Sequence, residues 1–263
     1  MSQEIINAFT EDDKKINSQL DALFTEWYEF LKKNDFFQKT KTSPDCFIQD
    51  GIFPRYSEQK VKILYMGRES YDLEGFNYIY QHYDWLKSKA LNGSTLWRKM
   101  LRFTWGLENN TADWADVPSL DEILNNFASD DGLSFGMINY SKISRPHNGT
   151  TKADWQQIIN FAKASLESPK NFYIRQLEII NPDVIISMNV FDAFDDVCLD
   201  VFEGALKYIS HTNNKSAALF EFMLNNRKIP VIDTYHLGST ISDKEHYESI
   251  QAAMNILLKS YKR

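Results

Sequence analysis

The sequence predicts an α/β protein, a three-layer α/β/α sandwich around a central, mostly parallel four-stranded sheet. Two observations carry that expectation. Four short runs, VKILYMG (61–67), LSFGMINY (133–140), PDVIISMN (182–189) and IPVIDTYH (229–236), are apolar on consecutive positions. Half-exposed strands alternate apolar and polar residues, whereas parallel strands covered on both faces read as continuous apolar runs. The stretches between them repeat their apolar residues every three or four positions, as amphipathic helices do. Strand–helix alternation of this kind implies a sheet with helices on both faces.

In chain order, DDKKINSQLDALFTEWYEFLKKN places Ile16, Leu20, Leu23, Phe24, Trp27 and Leu31 at helical spacing. Asp12 or Asp13 is expected to start this helix, and its closing lysines suit the negative end of the helix dipole. A turn-rich connector, TKTSPDCFIQDGIFP, leads to the first strand. Helices are expected in STLWRKMLRFTWGL, SLDEILNNF, KADWQQIINFAKASLE, NFYIRQLEII, SAALFEFMLNN and the closing DKEHYESIQAAMNILLKSYK. No repeat, low-complexity run or linker divides the chain. Residues 1–263 are expected to form a single domain, with residues 1–45 as an N-terminal helical extension packed on it.

Composition narrows the function classes. With 263 residues, 43% of them hydrophobic and 25% charged, the chain is long enough for a core that needs no staples. A net charge of -7 argues against wholesale nucleic-acid binding through a basic surface, but leaves room for a local basic groove. Two cysteines, Cys46 and Cys198, are too few for a disulfide framework, a Cys-rich zinc site or a four-thiolate cluster. His82, His211 and His246 show no metal-ligand spacing. The opening MSQEIINAFTEDDKK lacks the apolar core of a secretory signal, and no apolar run is long enough to span a bilayer. The expectation is a cytoplasmic monomer that uses no cofactor, metal or membrane.

Ligands of open α/β sheets bind beyond the carboxyl ends of the strands, so the informative residues are 67–72, 139–144, Asn189 and 235–240. Gly67-Arg68-Glu69-Ser70-Tyr71 resembles the Gly-x-Asp-Pro-Tyr loop of the uracil-DNA glycosylase superfamily, with glutamate for aspartate and serine for proline. Met137-Ile138-Asn139-Tyr140-Ser141-Lys142-Ile143-Ser144 is similar to that family's Leu-Leu-Asn-x-x-Leu-Thr strand end. Arg145-Pro146-His147-Asn148 and Lys152-Ala153-Asp154-Trp155 follow, where the uracil-specific branch has Arg-x-His and Lys-Gly-Trp. Tyr235-His236-Leu237-Gly238-Ser239 stands in place of its His-Pro-Ser, and STLWRKMLRFTWGL is similar to the helix after its first motif. The resemblance spans roughly residues 60 to 260, with the motifs in order.

The resemblance implies a DNA glycosylase that flips a uracil or related damaged base into a pocket. Glu69 would stabilise the developing sugar cation and orient water, and His236 would donate a hydrogen bond to the departing base. Asn139 would read the base edge, because an amide offers a donor and an acceptor together. Tyr71 would crowd out a 5-methyl group, and Gly67, Arg68 and Ser70 would complete the loop around the substrate. Phe76 or Tyr78 would give an aromatic platform. Lys142, Arg145 and Lys152 would hold phosphates, with His147, Ser239 and Ile241 also facing DNA, single strands included; Leu237 or Ile241 would wedge into the duplex. Two rivals stand beside this reading. One is a member of the fold that binds nucleic acid or nucleotides without turnover. The other is an esterase-like hydrolase built from Ser70, His236 and Asp233.

Overall fold

A computed structural model describes residues 3–75, 77–87, 94–109, 112–146, 153–191, 201–212 and 216–261. Its helices are α1 (Gln3–Ala8), α2 (Glu11–Lys33), α3 (Phe36–Thr40), α4 (Tyr78–Lys87), α5 (Thr95–Glu108), α6 (Leu120–Asn126), α7 (Trp155–Leu166), α8 (Phe172–Ile180) and α9 (Asp243–Tyr261). Its strands are β1 (Gly51–Ile52), β2 (Ile63–Gly67), β3 (Gly136–Asn139), β4 (Val184–Met188), β5 (Leu206–His211), β6 (Ala217–Leu224) and β7 (Arg227–Thr234). Across the sheet the order is β1-β3-β2-β4-β7-β6-β5. The four expected strands are its parallel centre, β3-β2-β4-β7.

The sheet is nonetheless larger than the four strands expected: among the described residues it has seven. Short β1 pairs antiparallel with β3, and β6 and β5 extend the other edge antiparallel beyond β7. The segment SAALFEFMLNN, expected as a helix, is therefore a strand. Leu224 pairs with Arg227 across a two-residue turn, in which Asn225 and Asn226 have φ of 50° and 62°. Two successive left-handed residues match the twist of a tight hairpin, and asparagine tolerates that backbone better than most residues.

Every residue of β2 and β4 is buried. Successive side chains of a strand point to opposite faces, so both faces of the sheet are covered here. Tyr65 of β2 donates its hydroxyl to Met100 O of α5 at 3.0 Å. The aromatic cluster around Trp27 of α2 joins α7 and α8: its ring stacks on Phe172 at 5.0 Å, and Nε1 donates to Ser165 Oγ at 2.9 Å. The start of α2 is Thr10, not Asp12 or Asp13. Asp13 serves as the reciprocal partner in a capping box and also accepts from Arg55 N at 2.7 Å and Ser57 N at 2.9 Å. One buried carboxylate thus fixes both a helix terminus and the segment that enters β2.

A second buried carboxylate fixes the end of β3. Asp50 Oδ2 accepts from Asn139 N at 2.6 Å and Lys142 Nζ at 2.9 Å, while Oδ1 accepts from Gln176 Nε2 at 2.7 Å. Lys142 Nζ also donates to Asn139 O at 2.6 Å and lies 5.7 Å from the Trp27 ring centre. Lys142, expected at a DNA phosphate, is therefore a core residue, 1% exposed. Burial raises the pKa of Asp50 and lowers that of Lys142, and their mutual attraction opposes both shifts. Removing one partner of such a pair strands the other charge. Lys142→Met is expected to lower unfolding stability by about 3–5 kcal/mol in urea denaturation. A loss of only about 0.5 kcal/mol, as at ordinary surface positions, would contradict this placement.

Candidate active site

Parallel strands bring their carboxyl ends to one edge. The chain leaves β2 for β3 on one side and later returns to β4 on the other, so a topological switch point lies beside β2. At that edge is a cavity of about 820 Å³, lined among others by Gly67, Glu69, Asn139, Met188 and His236. Small-molecule sites run to about 300–1,000 Å³, so there is room for a nucleobase and part of a sugar.

The Glu69 carboxylate is 1% exposed, and one of its oxygens is fully engaged. Oε1 accepts from Arg145 Nε at 2.8 Å, from Asp154 N at 3.0 Å and from the Tyr71 hydroxyl at 3.2 Å. Oε2 is buried and has no hydrogen-bond partner among the described residues. Buried acceptors are rarely left unmatched, so Oε2 stands out in a site where Oε1 has three donors. The loop itself is strapped by a short parallel pairing of Tyr71 with Arg145, with Asp72 N donating to Arg145 O at 3.0 Å and Arg145 N to Ser70 O at 3.2 Å. The Arg145 guanidinium also lies 4.7 Å over the Tyr71 ring. Arg145, expected to hold a phosphate, instead turns inward onto Glu69.

Asn139 is 4% exposed, its backbone is pinned by Asp50 and Lys142, and its side-chain amide has no hydrogen-bond partner among the described residues. Gly67 is required beside it: a Cβ at that position would come within 2.6 Å of Asn139 Oδ1. His236 accepts at Nδ1 from Gly238 N at 3.1 Å. In the neutral ring the proton must then sit on Nε2, which becomes a donor. The ring keeps an exposed face, so solvent tempers a pKa depression that burial, Arg68 and Lys99 together set at about 4. A neutral ring at pH 7 follows in either case.

Arg68 donates from Nε to Asn189 O at 3.0 Å and lies 4.7 Å over the Trp155 ring. Asn189 has φ of 55°, which turns the chain sharply where β4 ends. An aromatic side wall faces these groups. Tyr78 stacks on His82 at 4.1 Å, and His82 lies 4.8 Å from Trp97. Tyr78 is one of the two expected platform residues; the other, Phe76, lies outside the described residues, as do His147, Asn148 and Lys152. His82 and Trp97 were not anticipated, although Tyr78 and His82 stand four residues apart, the spacing that places side chains on one helical face.

Lys99 is another residue the sequence did not single out. Fully buried, it donates from Nζ to Ser239 O at 3.1 Å and Ile241 O at 2.7 Å, and meets His246 Nδ1 at 3.3 Å. It thereby grips the loop after His236. Ser239, expected at DNA, lines the cavity. Ile241 is half-buried, while Leu237 is fully buried and so cannot act as a wedge. For the hydrolase reading, Ser70 and His236 do line the same cavity. Asp233, however, accepts at Oδ1 from Ser187 Oγ and from Val190 N at 2.9 Å, and His236 Nδ1 is an acceptor. That nitrogen cannot donate to an aspartate in the manner of a Ser-His-Asp relay.

Among the described residues no group of three His, Cys, Asp or Glu side chains is placed to hold a metal ion, and no helix is long and apolar enough to cross a membrane. No protein-family model matches the chain, and no curated protein is significantly similar to it.

His246 provides a test of the loop anchorage. It is 2% exposed, and burial, then Lys99, lowers its pKa from 6.5 to about 4. Between those values the unfolded chain binds the extra proton, so stability falls as pH drops from about 6.5 towards 4. In His246→Gln this contribution is expected to vanish: denaturation midpoints measured across that window should fall less steeply than in the wild type. Parallel pH profiles would show that His246 is not held neutral.

Proposed function

We propose that the chain is a DNA glycosylase-like protein, which takes a uracil or related damaged base from DNA, single strands included, and hydrolyses its N-glycosidic bond. One observation carries this reading: Glu69, Asn139 and His236, from three separate strand ends, line a single cavity. In the same reading the sheet and its helices form a uracil-DNA glycosylase-like three-layer sandwich, and residues 1–263 act as one cytoplasmic, monomeric domain.

Breaking the bond between C1′ and the base nitrogen sends the electron pair to the base and leaves a cation on the sugar. A carboxylate close to C1′ stabilises that cation and orients the water that attacks it. Glu69 suits this role, because Arg145, Tyr71 and the Asp154 N–H hold Oε1 and leave Oε2 uncommitted. The Nε2–H of neutral His236 donates to an oxygen of the departing base, and the Asn139 amide pairs with its polar edge. The wall of Tyr78, His82 and Trp97 receives the flat ring that has left the DNA stack.

A second reading, a nucleic-acid- or nucleotide-binding member of the fold without turnover, is favoured by the Glu69–Arg145 ion pair itself. At 2.8 Å the guanidinium neutralises the carboxylate that would have to stabilise a cation.

The deciding assay incubates the protein with oligonucleotides containing uracil, hypoxanthine, xanthine or mismatched thymine and measures free base. Release from one of them, slowed by about 10²–10⁴ in Glu69→Gln with oligonucleotide binding retained, is the expected result. Binding without release leaves the second reading, and covalent labelling of Ser70 by a fluorophosphonate would overturn both.

A further inference from the structure

We propose that Arg68 is the anion-binding group of this cavity, and that its guanidinium takes up the negative charge the base acquires as it departs. This rests on the glycosylase reading above and assigns a further catalytic residue within it.

The charges on the cavity require such a group. Glu69 is balanced by Arg145, and His236 is neutral, so it offers a hydrogen bond but no charge. Arg68 lines the same cavity and remains cationic even where burial lowers its pKa. It is also prearranged. Nε is committed to Asn189 O and the flat face to Trp155, while both terminal nitrogens are without a hydrogen bond to the protein among the described residues. A guanidinium held in one plane with its fork unoccupied is suited to an oxygen-rich anion. Asp233 is the carboxylate with the largest effect on Arg68, ahead of Glu69; with Oδ1 hydrogen-bonded by Ser187 and Val190, it offsets part of the charge of Arg68 and leaves the terminal nitrogens unoccupied among the described residues.

The step balances without a co-reactant. The C1′–N bond breaks, and both of its electrons leave with the base, whose oxygens carry the charge beside Arg68 and the His236 Nε2–H. Water forms the new bond to C1′ and gives its proton to Glu69, from which it passes to the base or to solvent.

The test needs no turnover. Uracil stays neutral through the neutral pH range, whereas 6-azauracil, of the same shape, ionises within it. His236, its pKa lowered from the ordinary value by burial and by Arg68 and Lys99, stays neutral throughout that range. Binding of both compounds, followed by calorimetry across the 6-azauracil ionisation, is expected to favour the anion over uracil by about tenfold or more. Arg68→Gln should erase that preference, and Arg68→Lys, which keeps the charge but loses the fork, should retain part of it; circular dichroism checks that both variants fold. Equal affinity for the two compounds, or a preference that survives in Arg68→Gln, overturns the assignment. Arg68-dependent binding of inorganic phosphate tighter than that of the 6-azauracil anion would also overturn it, by making the site a phosphate subsite. If no oligonucleotide releases base but the Arg68-dependent preference stands, the glycosylase reading fails and the anion site survives. If base is released without the preference, the glycosylase reading survives and the anion site fails.

Discussion

The buried contact between Asp50 and Lys142 is the constraint on which the site depends. Asp50 sits in the connector before β1, and Lys142 lies just past β3. Between them they occupy both backbone polar groups of Asn139, its N–H through Asp50 and its carbonyl through Lys142. From that anchored backbone the Asn139 side chain extends over Gly67 at the end of the neighbouring strand. Such a pair is a weak source of net stability, since desolvation of two charges offsets most of their attraction. Its consequence here is geometric. The ion pair anchors the strand end that carries the Asn139 amide.

The same restraint governs the charges around the cavity. Glu69, which lines the cavity, is paired with Arg145, and His236, which lines it too, has its pKa lowered by partial burial and by the cations Arg68 and Lys99. A pocket built this way exposes little charge, apart from the guanidinium of Arg68, which Asp233 offsets in part. Charge that appears only during a reaction would then meet donors already in position, with no solvent to reorganise. Among the described residues, Oε2 of Glu69 and the terminal nitrogens of Arg68 have no hydrogen-bond partner.

Much of this was legible in the sequence, and the failures have definite causes. The parallel centre of the sheet was readable because strands buried on both faces must be apolar throughout. The convergence of 67–71, Asn139 and 236–239 followed from the rule that such strands share one carboxyl edge. The segment 216–226 was misread because Leu219, Phe222 and Met223 fit a helical spacing as well as they fit a strand. Asn225-Asn226 was the available signal, as a pair able to accept positive φ between two apolar runs. Lys142 and Arg145 were misplaced for a deeper reason. A lysine or arginine after a strand reads as solvent-facing unless its counter-charge is known, and Asp50 and Glu69 lie 92 and 76 residues away along the chain. Spacing along the sequence carries no information about such partners. Lys99 was invisible for the same reason, since its acceptors are backbone carbonyls of a distant loop.

The departures from the resembled motifs can be understood in the same physical terms. Proline after the acidic residue and after the histidine would stiffen both loops by restricting the unfolded chain. This chain has Ser70 and Leu237 there and stiffens the loops through contacts instead. Ser70 is buried, and its carbonyl accepts from Arg145 N. Leu237 is driven fully into the core, which turns the chain so that Gly238 N reaches His236 Nδ1. Lys99 then holds the carbonyls on the far side of the turn. Proline could contribute its fixed φ at position 237, but the N–H that sets the histidine tautomer comes from the residue after it, and that group is retained. What the loop needs is a restrained path and one correctly aimed N–H, and the buried leucine and lysine meet both requirements without proline.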